Sequence, residues 1–321
     1  MLYWPQRVEF MKNVVIIGGG HGQSTIIRGI KNIEDINLKA IVTVADDGGS
    51  TGRLRELYNI PAVGDIRSVL VSMADNEAHF DSLLDYRFKG EGNGDVVGHS
   101  LGNLILAALI EMNDGSLTAA IKEVGKILNV KGRVFPSSQE TITLYAKYTD
   151  GSIIEGEANI PNSEKVIDEV FFKRDVKADK EAVKAILDAD LIIYGIGSLY
   201  TSILPIIIIK EIREALSNCK AKKVYFANCM SQRGETYNYD LKDHVDALNK
   251  HGAKVDLVVR HSDVIPEHIR QRYVAEESEE VKYNNDLDIE VIERELLDFS
   301  NNNVRHDPEK IRKVVEELLE D

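Results

Sequence analysis

Five short apolar runs punctuate the chain: Asn13 to Ile17 (NVVII), Leu38 to Ala45 (LKAIVTVA), Leu191 to Tyr194 (LIIY), Lys223 to Ala227 and Val255 to Val259. Runs that are apolar at nearly every position, rather than at every second one, are the mark of parallel strands covered on both faces. Between them apolar residues recur at helical spacing, over Ser24 to Ile30, Leu54 to Tyr58, from Asp65 onward, Phe80 to Phe88, Leu101 to Met112, Leu117 to Leu128, Lys180 to Leu187 and a charged stretch from Pro308. Strand and helix in alternation predict an α/β fold with a Rossmann-like, doubly wound, mainly parallel sheet.

The period changes to two after Val134. Thr141 to Tyr148, a turn at Thr149-Asp150-Gly151-Ser152, and Ile153 to Ala158 read as a β-hairpin, and Val166 to Phe172 adds a strand. Residues 134–173 are therefore expected to form a β-rich insertion, with no chemistry legible in it. Residues 11–321 are expected to form one α/β domain, and residues 1–10 (MLYWPQRVEF) an N-terminal extension that lacks the apolar core of a signal peptide. Glu276 to Asp321 holds short alternating runs before the final helix. The acid-rich Glu276 to Glu280 reads most simply as a solvated loop.

The chain has 321 residues, with 53 acids against 39 bases and a formal net charge of −14. That balance argues against a nucleic-acid binder, which usually carries a basic stripe. A small anionic ligand remains compatible with a locally basic pocket. The two cysteines, Cys219 and Cys229, are spaced unlike a metal or redox motif and fit a reducing cytosol, so a cytoplasmic location is expected. The longest apolar run, Ile203 to Ile209, contains Pro205 and is far too short to span a bilayer.

Candidate chemistry gathers at the strand ends. After the first strand come Gly18, Gly19, Gly20, His21 and Gly22, then a helix, the arrangement that places a helix N-terminus against a phosphate. The third glycine of a strict G-x-G-x-x-G is absent, since Gln23 stands there, which disfavours an NAD-dependent dehydrogenase. After the second strand come Asp46, Asp47, Gly48, Gly49, Ser50, Thr51, Gly52 and Arg53. Glycine lets the backbone approach a ligand, successive N–H groups can form an anion-binding concavity, and Arg53 offers a planar fork for phosphate. Asp46 and Asp47 could hold a divalent cation, a sugar hydroxyl or a proton in transit. The plainer alternative is a polar turn whose Asp residues cap the helix at Leu54.

Asp65 and Arg67 open a further helix. The glycine-rich break Gly90 to Gly94 reads as a mobile loop or lid before Gly98 to Asn103, where His99, Ser100 and Asn103 lie near a helix N-terminus. Gly197, Ser198, Leu199, Tyr200 and Thr201 follow the 191–194 strand, and Asn228 to Thr236 follow the 223–227 strand. In an open parallel sheet these ends share one edge, where ligands bind.

Gly18 to Gly22, the run Ala45 to Arg55 (ADDGGSTGRLR), Gly64 to Arg67, Gly98 to Asn103, Gly197 to Ser202 and Asn228 to Thr236 together resemble the gluconeogenesis factor branch of the 2-phospho-L-lactate transferase-like superfamily. Ile196, Arg233 and Ser68 depart from the pattern of that family. The resemblance runs from Met11 to about the C-terminus and implies a Rossmann-like core with a site for a phosphorylated nucleotide. For this branch it implies a cytoplasmic protein that binds UDP-N-acetylglucosamine and supports cell-envelope synthesis and cell shape during gluconeogenic growth, with no firm reaction attached. The other branch is a transferase, with Mg²⁺ as the metal and Asp46 and Asp47 as catalytic or, for Asp47, metal-binding groups. The only tryptophan, Trp4, lies outside the core, so no stacking platform for a deazaflavin acceptor is visible. The expected ligand residues are thus Gly18 to Gly22, Gly48 to Thr51, Arg53, Asp65, Arg67, Asn103, Gly197 to Thr201 and Asn228. The expected partner is a UDP-sugar or other phosphorylated nucleotide, with a homo-oligomer left open, no nucleic acid and no membrane span. No cofactor is fixed by the residues; Mg²⁺ enters with the transferase alternative.

Overall fold

The computed structural model describes residues 11–90 and 96–320. The expected N-terminal extension and most of the glycine-rich break at 90–94 lie outside the described residues.

The chain opens with β1 (Lys12–Gly18), α1 (Gly20–Ile30), β2 (Ile36–Val42), α2 (Gly49–Tyr58), α3 (Gly64–Met73), α4 (Glu77–Leu84), α5 (Leu101–Met112), α6 (Leu117–Ile127) and β3 (Arg133–Pro136). An antiparallel segment follows, with β4 (Tyr145–Tyr148), β5 (Ile153–Glu155), a 3₁₀ turn at Glu157–Asn162 and β6 (Ile167–Phe171). The chain then returns to α7 (Lys180–Leu187), β7 (Leu191–Tyr194), a π turn at Leu199–Ile203, α8 (Leu204–Ile207), α9 (Lys210–Asn218), β8 (Lys222–Phe226), α10 (Leu241–Lys250), β9 (Leu257–His261), α11 (Glu267–Ala275) and β10 (Glu290–Arg294). A two-stranded ribbon of β11 (Leu297–Asp298) and β12 (Arg305–His306) leads into α12 (Pro308–Glu320).

Seven strands form one parallel sheet in the order β10-β9-β8-β7-β1-β2-β3. Chain order therefore reverses between β1 and β7, and this switch point is where an open α/β sheet leaves a crevice at its carboxyl edge. Val14 to Ile17, Ile192 to Tyr194 and Val224 to Phe226 are wholly buried, as continuous apolar runs demand. Helix α1 lies against α3 and α12, and α7 against α9.

The insertion expected over 134–173 begins later. Arg133 to Pro136 pairs in parallel with Lys39 to Val42 and forms the edge of the main sheet, where a proline is tolerated; Ser137 N–H donates the last bond to the Val42 carbonyl at 2.8 Å. What remains is the three-stranded antiparallel sheet β5-β4-β6. The helix expected over Phe80 to Phe88 stops at Leu84, where Asp85 pairs with Arg67 and Arg87 forms a β-bridge to Ser100. The helix expected at Leu54 starts five residues earlier, so Gly49 to Arg53 form its first turns rather than a loop.

Candidate functional site

Helix α1 starts at Gly20, whose φ of +54° is a left-handed conformation that suits glycine. The first helical bond of its turn runs from Gln23 N–H to Gly19 carbonyl at 3.4 Å, which leaves the amides of Gly20, His21 and Gly22 ahead of it. Gln23 occupies the third-glycine position for a structural reason. Its buried Nε2 donates to the carbonyls of Ile16 (2.9 Å) and Ile41 (3.1 Å) and ties β1 to β2. Gly22 lies against the turn after β7: a Cβ there would sit 2.5 Å from Gly197 N. Asn228 closes the same corner, with Nδ2 donating to Gly197 carbonyl at 3.0 Å and Oδ1 accepting from the Tyr225 hydroxyl at 2.8 Å. The loops after β1, β7 and β8 thus meet at the switch point.

The turn after β2 joins them through Asp65. A side chain at Gly19 would collide with the Asp65 carboxylate and Thr43, and one at Gly20 would lie 3.2 Å from Asp65 Oδ1. Thr51 and Asp46 approach Gly64 at the start of α3. Neither Asp caps α2. Its N-cap is Gly48, with no side-chain bond; Asp46 Oδ1 instead accepts from Gly48 N–H at 2.9 Å within its own turn. Asp47 reaches across the cleft to the insertion: its Oδ2 accepts from Glu157 N–H at 3.2 Å and its Oδ1 from Ala158 N–H at 2.9 Å. It caps the 3₁₀ turn of the insertion, and Gly156 (φ +93°) leaves the space it needs. Asp47→Ala should therefore cost about 1–2 kcal/mol of stability, with faster hydrogen exchange at the amides of 157 and 158. Unchanged exchange there would show that the cap is not held in solution.

Other motif residues fasten the frame. Ser50 Oγ lies 2.8 Å from His99 Nδ1 and accepts from Asn103 Nδ2 at 3.3 Å, while Ser100 Oγ caps α5 by accepting from Asn103 N–H. Burial, with Arg53 and Arg87 nearby, lowers the His99 pKa, so its ring is neutral at pH 7. Arg53 donates to the Val97 carbonyl at 2.7 Å, and Arg67 pairs with Asp85 and donates to the Leu84 carbonyl. Arg55, which closes the Ala45 to Arg55 run but was given no role there, donates to the carbonyls of Ala45, Asp46 and Ile142 from beneath the loop. Leu199 and Tyr200 belong to the core, at 0% and 2% exposure, because the π turn directs them inward; the Tyr200 hydroxyl meets that of Tyr239 at 2.9 Å. Ser198 and Thr201 stay at the cleft, bonded to each other and to the buried Glu235 carboxylate.

Acidic groups crowd this space. Burial, then the charge of Asp46, raises the Asp65 pKa to about 7 against the pull of Arg67. Burial and Asp46 raise the Glu157 pKa to about 8; the Thr201 hydroxyl counters this, and Asp65 and Glu235 add to it. Burial outweighs the hydrogen bonds from Ser198 and Thr201 in raising that of Glu235. Sequence reading missed Glu157, because an acid in an alternating run looks like a solvent-facing strand position.

Carboxyl groups whose folded pKa exceeds the unfolded value stabilise the protein at low pH and lose that contribution as pH rises through the folded value. Buried His244 and His306, lowered to about 4 by desolvation, act oppositely, losing theirs as pH falls from 6.5 to 4. Above about pH 7.5, where the histidines of the unfolded chain are neutral as well, only the carboxyl term remains. Melting temperature should accordingly fall by about a degree between pH 7.5 and 8.5, and Glu157→Gln should flatten that slope. A slope identical in the variant would remove Glu157 from the account.

Among the described residues no three His, Cys, Asp or Glu side chains converge as a metal cage. The Asp46 and Asp65 oxygens suit a Mg²⁺ held by one or two carboxylates and completed by water and phosphate oxygens.

A cavity of about 570 Å³ opens beside the first turn of α1, lined by His21, Gly22, Thr25, Asn228, Gln232, Tyr273, Arg305 and His306, among others. The Tyr273 hydroxyl accepts from Val304 N–H at 3.1 Å, and Arg233, also on the wall, pairs with Glu277 at 2.7 Å. Arg305 is exposed and has no ion pair among the described residues. Arg305 comes from the segment that reads only as short alternating runs, and Tyr273 from α11 just before it, which the sequence reading did not single out.

A Rossmann-order sheet with this glycine loop and the DDGGSTGR turn defines the class: residues 14–297 match the model of the 2-phospho-L-lactate transferase CofD family, and the chain belongs to that family. Relatives within the family include gluconeogenesis factors. The Gluconeogenesis factor of Bacillus subtilis (strain 168) is 41% identical over 315 residues, covering 96% of this chain and 98% of that protein. A Putative gluconeogenesis factor of Aquifex aeolicus (strain VF5) is 42% identical over 321 residues, covering 96% and 97%. A crystal structure of a UPF0052-family protein from Bacillus halodurans superposes with a TM-score of 0.90 at 39% identity, over 95% of this chain and 99% of that one. Among the described residues no helix is long and apolar enough to cross a membrane.

Proposed function

We propose that the protein binds a nucleotide diphosphate-sugar of the UDP-N-acetylglucosamine kind. The observation that carries this reading is the cavity opening directly onto the first turn of α1 at the sheet switch point. The amides of Gly20, His21 and Gly22 suit the diphosphate, with the helix dipole adding to the attraction. The nucleoside takes the cavity beside Tyr273 and Arg305. The sugar then lies toward Asp46 and Asp65, on the other side of Gly19 and Gly20. On this reading, binding serves a cytoplasmic, regulatory role that supports cell-envelope synthesis and cell shape on gluconeogenic carbon.

A UDP-sugar at one hundred times its Kd should stabilise the fold by about 2.7 kcal/mol, read as a rise in melting temperature. GDP and NAD should give smaller shifts. Equal shifts for all, or none for UDP-sugars, would remove the assignment.

One observation favours a second reading, a transferase acting on a nucleotide diphosphate donor with Mg²⁺. A separate cavity of about 330 Å³ lies between the insertion and the turn after β8, where Tyr237 is 49% exposed and Glu235 forms part of the wall. An acceptor ring could sit on that tyrosine. Product formed only with Mg²⁺ and lost in Asp46→Asn, detected by mass spectrometry, would favour it.

A further inference from the structure

Arg233 stands between two cavities. It lines the one beside α1 and also the one between the insertion and the turn after β8, where Glu277 forms part of the wall. Its guanidinium is held on that second side, 2.7 Å from the Glu277 carboxylate. The backbone beneath each partner is fixed. Glu235 and Thr236 N–H both donate to the Gln232 carbonyl, at 3.1 and 2.9 Å, and close the turn that carries Arg233. The acid-rich run Glu276 to Glu280, expected as a solvated loop, has its backbone laced to residues 229–231. Ser231 N–H donates to the Glu279 carbonyl at 2.7 Å, Glu279 N–H to Ser231 Oγ at 2.9 Å, and Val281 N–H to the Cys229 carbonyl at 3.0 Å. What can move is the pair of side chains.

Magnitudes favour a move toward the first cavity. The Arg233 and Glu277 side chains are 63% and 52% exposed, and an ion pair in such surroundings holds its partners together by about fivefold at most. The permanently charged residues on the wall of the first cavity are Arg233, Arg305 and Glu276. While Arg233 is turned to Glu277, the charges of Arg305 and Glu276 offset each other. A diphosphate diester brings more than one negative charge, with oxygens that match a planar guanidinium fork. Rotation of the long arginine side chain carries its charge from the shared wall into this cavity. Arg233 is also one of the positions at which the chain departs from the pattern of the family it resembles, so the guanidinium is not part of that pattern.

Resting on the nucleotide-sugar reading above, we infer that Arg233 is a diphosphate-binding residue held in reserve by Glu277. The empty site keeps the guanidinium on the carboxylate, and the arriving diphosphate takes it over. Glu277 thereby sets a threshold. A ligand without phosphate gains nothing by displacing it, whereas a diphosphate exchanges a weak exposed pair for a bidentate one. The exchange leaves the Glu277 carboxylate on the wall of the second cavity without its cation, so occupancy of the first cavity changes the charge of the second.

The test is a double-mutant cycle. UDP-N-acetylglucosamine is titrated by calorimetry into wild type, Arg233→Gln, Glu277→Gln and the double variant at low salt. Both side chains are more than half exposed, so all four proteins should melt together. Arg233→Gln should weaken binding by roughly tenfold, the scale of one lost hydrogen bond to a charged group. Glu277→Gln should tighten it by about twofold to fivefold, the amount an exposed pair withholds. In the double variant the affinity should equal that of Arg233→Gln alone, because the carboxylate then has no guanidinium to withhold. Equal tightening by Glu277→Gln with and without Arg233 would make Glu277 a plain repulsive charge and overturn the inference. Unchanged affinity in either single variant would overturn it too. Both results leave the nucleotide-sugar reading standing, since the wild type binds in each. No binding of UDP-N-acetylglucosamine to folded wild-type protein would overturn that reading and this inference together.

Discussion

Gly22→Ala is expected to weaken nucleotide binding by at least tenfold and to lower the melting temperature by several degrees. Alanine in the first turns of a helix is ordinarily favoured over glycine by about 1 kcal/mol, so any loss must come from the space around the new methyl. That space is filled by backbone: the Cβ would lie 2.5 Å from Gly197 N and 2.7 Å from both Gly197 Cα and Ile196 C. Backbone cannot rotate away as a flexible side chain can, and overpacking of this kind typically costs about 1–3 kcal/mol. Relief requires α1 to move off the turn after β7, which shifts the amides of Gly20 to Gly22 relative to the cavity. Gly252→Ala is the control. Its φ is +96° and its Cβ would lie 2.6 Å from Arg213 Cδ, in the turn that leads into β9 from its amino end, so it should destabilise without changing affinity. Calorimetric melting and titration of both variants separate the two effects. Full affinity in a folded Gly22→Ala protein would mean that the junction of α1 with the β7 turn does not shape the site.

The glycines of the Gly18 to Gly22 loop were legible in the sequence because a backbone approach leaves a residue type behind. The same is true of β1, β2, β7, β8 and β9, whose two covered faces give unbroken apolar runs. The two edge strands were not legible. β10 (EVIER) has only two adjacent, half-buried apolar residues between exposed charged ones, and β3 (RVFP) is four residues ending in proline, so each looked like something else. At the site, the DDGGSTGR turn marked its own importance but not its wiring. Asp47 reads as a catalytic or capping group of its own helix, yet its partners lie 110 and 111 positions away, at Glu157 and Ala158. Local patterning carries no signal for a pairing of that separation. Tyr273, Arg305 and Glu157 were missed for the same reason, since each acquires meaning only when the sheet order brings its segment to the switch point.

Gly234→Ala should be the most damaging single methyl in the cleft, because two costs coincide there. Its φ is +75°, where a side chain is disfavoured by about 1–2 kcal/mol. The added Cβ would also fall far inside contact distance of the Pro161 carbonyl oxygen, in the 3₁₀ turn of the insertion. Overpacking adds about 1–3 kcal/mol, for a total of about 2–5 kcal/mol if the two act independently. Gly151→Ala isolates the first cost: at φ +83° it sits in the hairpin turn with nothing near its Cβ. That variant should lose only the conformational part, and the difference between the two reports the contact between the insertion and the β8 turn. Relief at Gly234 would push Pro161 outward, and Glu157 lies at the start of the same 3₁₀ turn. Glu235, the next residue in the chain, would lose its register with Ser198 and Thr201. Hydrogen exchange should therefore rise at 157–162 and around 198–201 in Gly234→Ala but not in Gly151→Ala. Equal destabilisation by the two substitutions, with no change in exchange at 157–162, would show that the insertion is not seated on the β8 turn in solution.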